Sequence, residues 1–355
     1  MAKEIEITQE FADAFKSIEE ESKSIFLTGK AGTGKSTFLN YFVKNTKKNV
    51  VVLAPTGVAA INIQGQTIHS FFGFKPWITV SEAEKLAAKK KKNNLFEKID
   101  TIVIDEISMV RADLLDCIDV FLKTILNNFD PFGGKQIVFI GDLYQLPPVV
   151  KGDEIEVLKK SYETPYFFSA HAMKEAEFKF TEFTKIYRQK DQEFINLLNK
   201  IRNKGLDEKD IEKINSRFFP ETEQDYSFIT LTTTNDLAEK INKEEIEKIH
   251  AKKWVFKSQI NGKFDLGALP TANVLELKKG ARIMLLVNDI LGRWVNGSLG
   301  FVNSISETSV EVSLDNGAII QLTQHTWEMY KFSYDEKNKY MAKESIGAFT
   351  QFPIR

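Results

Sequence analysis

Cysteine is almost absent from these 355 residues; there is one, Cys117. No internal disulfide can form, so the fold must hold without covalent staples. Cys117 falls in the helical pattern ADLLDCIDVFLKTIL, where a small buried hydrophobe is expected rather than a reactive thiol. Histidine is scarce too, at four residues, and none has the partner spacing of a zinc ligand set. No apolar run approaches the ~20 residues that cross a bilayer. The opening MAKEIEITQEF carries charges where a signal peptide is apolar. These absences predict a protein with no membrane partner, in a reducing cytoplasm of bacterial or viral origin, or in a nucleus or mitochondrion if eukaryotic. Net charge is nearly absent as well, −1 from 48 basic and 49 acidic residues. That excludes a wholly basic nucleic-acid wrapper. It leaves room for a local basic groove, because the attraction acts over a Debye length of about 10 Å.

What is present is a globular composition, 43% hydrophobic and 27% charged, with 28 Phe for core building. The length suggests two or three domains. SIFLTG, NVVVLAP, TIVIDE and QIVFIGD are short, continuously apolar runs, as strands buried on both faces should be. Helical patterns separate them, for example 36–45 and 111–127. Alternating strand and helix predicts an α/β fold on a parallel sheet. That lobe should cover residues 1–180, with an inserted subdomain near 70–100 whose basic tip, Lys89 to Lys92, reads as a solvated loop or a duplex contact. A second lobe should fill 181–355. In it SFITLTTTNDLAEKIN reads as strand, turn and helix, with Asn235 or Asp236 suited to the N-cap. A small β-barrel-like insertion is expected near 295–330, where Asp315-Asn316-Gly317 signals a hairpin.

GKAGTGKS (29–36) has the G-x-x-x-x-G-K-[ST] spacing and lies between an expected strand and an expected helix, the context the motif requires. Gly29, Gly32 and Gly34 let the backbone curl so that its N–H groups face phosphate oxygens. The helix N-terminus adds to the attraction. Lys35 would reach the β- and γ-phosphates, and Ser36 would offer a hydroxyl to Mg²⁺. Asp105 and Glu106 end another buried strand, where ligand sites of open parallel sheets lie. Asp105 would hold Mg²⁺ largely through water, and Glu106 would polarise the attacking water. Alone, such a pair would more often cap the next helix. Gln145 follows QIVFIGD in the segment GDLYQLPPVV. Its amide can donate to a phosphate oxygen and accept from water at once, and so register whether a γ-phosphate is present. The prolines after it would stiffen the segment that passes the movement on. The competing reading is a turn glutamine with no role. In GQTIHSFFGF, Thr67, His69 and Ser70 suit phosphate contacts, while Phe71 and Phe72 could stack on bases or belong to the core. Arg188, at the junction of the lobes, could enter the nucleotide cleft and stabilise charge there; alone it would more often be a surface ion pair.

GKAGTGKST, APTGVAA, QTIHSFF, DEISMVRADLLDCID, GDLYQLPPV, YRQ and WVNGSLG together resemble superfamily 1 helicases, specifically the Pif-type (petite integration frequency) branch of superfamily 1B related to RecD. The resemblance spans most of the chain and keeps the family's motif order. It implies a P-loop NTPase with two RecA-like lobes, the second incomplete here, and an ATP cleft between them. It also implies 5′→3′ movement on single-stranded DNA, unwinding of duplex or G-quadruplex DNA by a monomer, and work in DNA repair, recombination and telomere maintenance. By the same resemblance Gln9 would read adenine. Gly32, Thr33, Gly34, Lys35, Ser36 and Thr37 would hold the nucleotide. Pro55, Thr56, Thr67, His69, Thr234, Asn235 and Asn296 would face DNA. Such helicases carry, beyond a segment like GAFTQFPIR, a His-Lys-Ser-Gln-Gly motif and a second cleft arginine. Neither follows Arg355, so the chain reads as truncated, with ATPase and unwinding impaired. Loss of such an arginine costs on the order of 10³–10⁵ in turnover, roughly 4–7 kcal/mol. A non-catalytic ATP- and single-stranded-DNA-binding fragment is the alternative. A GTPase is disfavoured because no Asn-Lys-x-Asp guanine reader occurs.

Overall fold

The computed structural model describes residues 6–90, 94–150, 154–187, 191–218, 229–289 and 291–355. Two compact units divide the chain. The first runs to Leu206 and takes in Met329–Ser345; the second holds Asp207–Glu328 and Ile346–Arg355. The division thus falls at Leu206 rather than at residue 180, because residues just beyond 180 complete the first unit's sheet.

In chain order the first unit contains α1 (Gln9–Glu19), β1 (Ile25–Gly29), α2 (Lys35–Asn45), β2 (Val50–Ala54), α3 (Gly57–Asn62), β3 (Gln66–Thr67), α4 (Ile68–Phe72), α5 (Val80–Lys90) and α6 (Leu95–Lys98). It continues with β4 (Thr101–Ile104), α7 (Ala112–Leu126), β5 (Gln136–Ile140), α8 (Glu154–Lys159), α9 (Ala172–Glu175), β6 (Lys179–Phe183) and α10 (Gln192–Arg202). The six strands form one sheet in the order β3-β2-β4-β5-β1-β6, with parallel pairing throughout. β2, β4 and β5 are buried at every position, which is why their sequences are uninterrupted apolar runs. β6 is an edge strand whose Lys179 and Glu182 are exposed; charges of this kind discourage further strand pairing.

The region near 70–100 has no core of its own. Phe71, Phe72, Phe74, Ala83, Ala87 and Phe96 join the same hydrophobic cluster as the sheet and α7. Phe72, Phe74 and Phe96 meet Phe121 of α7 with ring centroids 5.2, 5.6 and 5.1 Å apart. The expected basic tip is drawn inward at Lys90. Its Nζ donates to the Phe72 carbonyl at 2.8 Å and lies 5.8 Å from the centroid of the Phe121 ring. Lys91 and Lys92 lie outside the described residues.

The second unit contributes α11 (Glu208–Asn215), α12 (Asn235–Lys248), β7 (Lys253–Lys257), β8 (Gln259–Gly262), β9 (Val274–Lys278), β10 (Arg282–Met284), β11 (Leu299–Ile305), β12 (Val310–Leu314) and β13 (Ile319–Leu322). β10-β11-β12-β13 make an antiparallel sheet over a core that includes Trp294, Val302, Val312 and Phe352. β12 and β13 turn at Asp315-Asn316-Gly317, with Gly317 at φ +84, as the sequence pattern predicts. β7 pairs with β9. The last two strands, β14 (His325–Asp335) and β15 (Tyr340–Gln351), form a long hairpin, and β15 pairs on its other side with β8.

One expectation fails here. Residues 229–234 form no strand, and Leu231 is 90% exposed; Ser227 and Phe228, where the expected strand begins, lie outside the described residues. A β-rich run becomes a strand only where a neighbour supplies a ladder. Among the described residues this run has no such neighbour. The N-cap of α12 is Thr234, whose hydroxyl accepts from the Leu237 amide, not Asn235 or Asp236.

The hairpin's distal part, Met329–Ser345, packs within the first unit. Phe332 is buried in that unit's core, and its amide donates to Oε1 of the buried Gln66 at 3.2 Å. Lys343 Nζ donates to the Gln64 carbonyl at 2.7 Å.

Candidate functional site

β1 delivers the chain into the glycine-rich turn at Gly29. There the backbone comes so close to β6 that a Cβ would lie 2.6 Å from the Phe183 carbonyl oxygen. Gly32 and Gly34 take positive φ, +80 and +93, and Gly34 is the N-cap of α2. No side chain caps that helix, so its first amides stay available to an anion. Thr33 is buried and ties the turn through its hydroxyl to the Lys30 carbonyl at 2.9 Å. Lys35 Nζ donates to the carbonyls of Gly29 and Lys30 at 2.6 and 3.1 Å. Ser36 and Thr37 are exposed in the first turn. Tyr187 lies over this turn, its amide donating to the Gly32 carbonyl at 2.8 Å. Arg188, the next residue, lies outside the described residues.

β4 and β5 are β1's neighbours on one side, so their C-terminal ends open beside the turn. Asp105 follows β4 and is only 8% exposed. Burial, then the charge of Glu106, pushes its carboxyl up to about 6, against the opposing pull of the Glu106 amide and Lys35. Glu106 sits in the left-handed region at φ +51, a strained backbone for a non-glycine residue and one often found at functional sites. Lys35 is pushed down by burial, while Asp142 and Glu106 pull it up and Arg202 pushes it down. Buried carboxylate charge that one lysine leaves under-compensated fits a divalent cation, so Ser36 and Asp105 suit Mg²⁺. Among the described residues no group of three or more His, Cys, Asp or Glu forms a dedicated metal cage. An ion shared with phosphate oxygens and water needs none.

Gln145 hangs from Asp142, the residue that follows β5 and Gly141. Its backbone amide donates to the Asp142 carbonyl at 3.0 Å and its Nε2 to Asp142 Oδ2 at 3.2 Å. The sequence reading gave Asp142 no role, and the structure makes it the hub. Oδ1 accepts from the Tyr144 amide, and Oδ2 also accepts Arg202 Nη1 at 2.6 Å. Burial pushes the Asp142 carboxyl up, but the Arg202 hydrogen bond and charge, with the other donors, hold it below the usual carboxylate range. Arg202 ends α10, where its sequence reads only as a basic residue suited to a helix C-terminus, so no local signal marked it.

A family model described as PIF1-like helicase matches residues 6–212. The chain belongs to the PIF1-like helicases. It is 34% identical over 301 residues to the ATP-dependent DNA helicase PIF1 of Saccharomyces cerevisiae, a match covering 80% of this chain and 34% of that protein. It thus spans about a third of the length of that relative. The crystal structure of Bacteroides sp Pif1 in complex with ADP-AlF4 is similar at a TM-score of 0.88 and 36% identity, covering 99% of this chain and 81% of that one. Bacteroides Pif1 bound to ssDNA gives a TM-score of 0.59 at 36% identity, again covering 99% and 81%.

The remaining candidates of this PIF1-like chain fall into separate groups. Pro55 and Thr56 follow β2, and Thr67 and His69 follow from the paired β3, so these four cluster at one end of the sheet. Thr56 and Thr67 each cap a short helix, accepting from Ala59 and Ser70 amides at 3.2 Å. His69 is half-buried, and burial pushes its pKa down. Phe71 and Phe72 are core residues at 7% and 0% exposure, so base stacking by them is ruled out; their rings are taken up by each other, Phe96 and Phe121. Gln9 opens α1 and bonds Asp13 at 2.8 Å. Two positions later Phe11 packs on Phe38 of α2 and Phe183, fixing α1 beside α2. In the second unit Thr234 caps α12, and Asn235 accepts from Arg355 at 3.1 Å. Asn296 is exposed, its amide donating to Asn288 at 2.8 Å.

Proposed function

We propose that the chain is an ATP-driven DNA motor of the helicase type, binding ATP with Mg²⁺ at the β1–α2 turn and moving 5′→3′ on single-stranded DNA. One observation carries the reading. The phosphate-binding turn, the Asp105–Glu106 pair and the Asp142–Gln145 pair converge at the ends of the adjacent strands β1, β4 and β5. Amides of the turn and α2 hold the phosphates, and Lys35 leaves its carbonyl partners for them. Ser36 and Asp105 would hold Mg²⁺, which would neutralise phosphate charge. Glu106 polarises the attacking water, and Gln145 reports on the terminal phosphate. Arg188 is proposed to complete the charge balance, and Gln9 to read the adenine. Pro55, Thr56, Thr67 and His69, with Thr234, Asn235 and Asn296, are proposed to grip the strand, with grip alternating as the nucleotide state changes. The single-stranded DNA in the Bacteroides relative and that protein's ADP-AlF4 complex support this assignment. Duplex or G-quadruplex unwinding by a monomer extends the same reading.

The test is nucleotide binding and ATPase turnover, with and without oligo-dT, for the wild type and Lys35→Ala. Lys35-dependent binding and DNA-stimulated turnover are expected. Nucleotide binding indifferent to Lys35 refutes the reading. Lys35-dependent binding with no DNA-stimulated turnover reduces it to a binding fragment.

A further inference from the structure

Asp142 carries a burden that the phosphate site makes acute. Its side chain is only 1% exposed, and it acts on Lys35 more strongly than any other charged group does. A bare carboxylate there would face the incoming terminal phosphate with a like charge. The only arginine paired to it among the described residues comes from a distant helix. Arg202 Nη1 reaches Oδ2 at 2.6 Å, and the guanidinium lies 4.0 Å from the centroid of the Tyr144 ring. That same Oδ2 receives the Gln145 amide at 3.2 Å. One oxygen thus joins the arginine of α10 to the glutamine beside the phosphates.

We propose that Arg202 is a positioning residue: it neutralises Asp142 and fixes the carboxylate on which Gln145 hangs, so that the site accepts a terminal phosphate. The role rests on ATP binding at the β1–α2 turn. Arg202 need not touch the nucleotide. A guanidinium suits the task because its planar fork can bind the carboxylate and lie on the Tyr144 ring together; an ammonium keeps the charge but loses the stacked plane. The arrangement also makes the α10 C-terminus part of the phosphate site, so a shift of that helix would reach Gln145 through a single carboxylate.

The experiment compares the affinities of ADP and of the non-hydrolysable imido analogue of ATP, by titration with calorimetric detection, on the full 355-residue chain. Arg202→Ala should weaken the imido analogue by about ten- to a hundredfold, within the usual range of coupling between sites, and ADP much less. Combining Arg202→Ala with Asp142→Asn removes the stranded charge and should recover most of the loss. Arg202→Lys should fall in between, and it serves if the alanine variant proves unstable. Equal weakening of both ligands, or no recovery in the double variant, overturns the role. If the wild type binds neither ligand in a Lys35-dependent way, the functional reading itself falls and takes this role with it. If binding is Lys35-dependent but Arg202→Ala leaves the ADP-to-analogue ratio unchanged, the positioning role alone fails.

Discussion

Replacing Gly29 with alanine tests how tightly the glycine-rich β1–α2 turn is built into the sheet. Gly29 has φ +152 and pairs with Phe183 across β1 and β6. A Cβ there would sit 2.6 Å from both the Phe183 carbonyl oxygen and Thr33 Oγ1, and 3.2 Å from Phe183 Cβ. The carbonyl belongs to backbone, so no rotamer change relieves it. Either β6 moves away from β1 or the start of the turn shifts. Overpacking costs about 1–3 kcal/mol and the unfavourable φ about 1 kcal/mol more, roughly 2–4 kcal/mol together. For a unit of this size that lowers the melting midpoint by about 5–15 °C. Nucleotide affinity should fall with it, because Lys35 and Thr33 take their geometry from the same turn. Gly73→Ala is the control: it also has positive φ, +73, but a Cβ would meet only the movable end of Lys90. It should lose about 1 kcal/mol and leave nucleotide affinity alone. Scanning fluorimetry with a fluorescent-nucleotide titration reads both. A Gly29→Ala protein that melts with the control and binds nucleotide normally would show that the close approach of β1 and β6 is not a constraint.

Asp105→Asn should stabilise the protein measured without nucleotide or Mg²⁺. The folded-state pKa, about 6, is raised, so the wild type is most stable below the unfolded value near 4 and loses stability as pH rises through 6. The variant's advantage should therefore be absent at pH 4 and reach roughly 3 kcal/mol by pH 7–8 in urea unfolding; a pH-independent difference refutes the account. Gln136→Leu should cost at least about 2 kcal/mol in the same assay. Its amide accepts from Thr101 and Lys48 and donates to the carbonyls of Ile18 and Lys23, and leucine removes all four bonds, leaving Lys48 and the Ile18 carbonyl only each other and Ser22. Cys117, fully buried with its thiol pushed up to about 12 by burial and neighbouring carboxylates, should resist a thiol reagent in the folded protein and react at once in urea; fast labelling under native conditions would contradict its place in the core.

Much of the nucleotide half was legible because its physics is local. β1, β2, β4 and β5 are buried on both faces and so write themselves as apolar runs, and a glycine-rich turn after one of them has few other uses. Asp315-Asn316-Gly317 likewise encodes its own turn. What escaped was set by neighbours far along the chain. β6 looks weak because an edge strand may alternate polar and apolar residues, and it exists because β1 offers a ladder. Conversely, 229–234 has a strand-like sequence and, among the described residues, no ladder. Phe71 and Phe72 could be assigned to core only once Phe96 and Phe121 were seen against them. Asp142 and Arg202 are 60 positions apart, and nothing in either segment announces the pair.

The route of the chain has a practical consequence for dissection. A fragment cut after Leu206 would hold the whole parallel sheet yet lack Phe332, which fills that sheet's core, and it would leave Gln66 without the amide it receives. Isolating an autonomous nucleotide lobe would mean grafting the tip of the β14–β15 hairpin back onto it, or accepting a protein with an open seam beside Phe71.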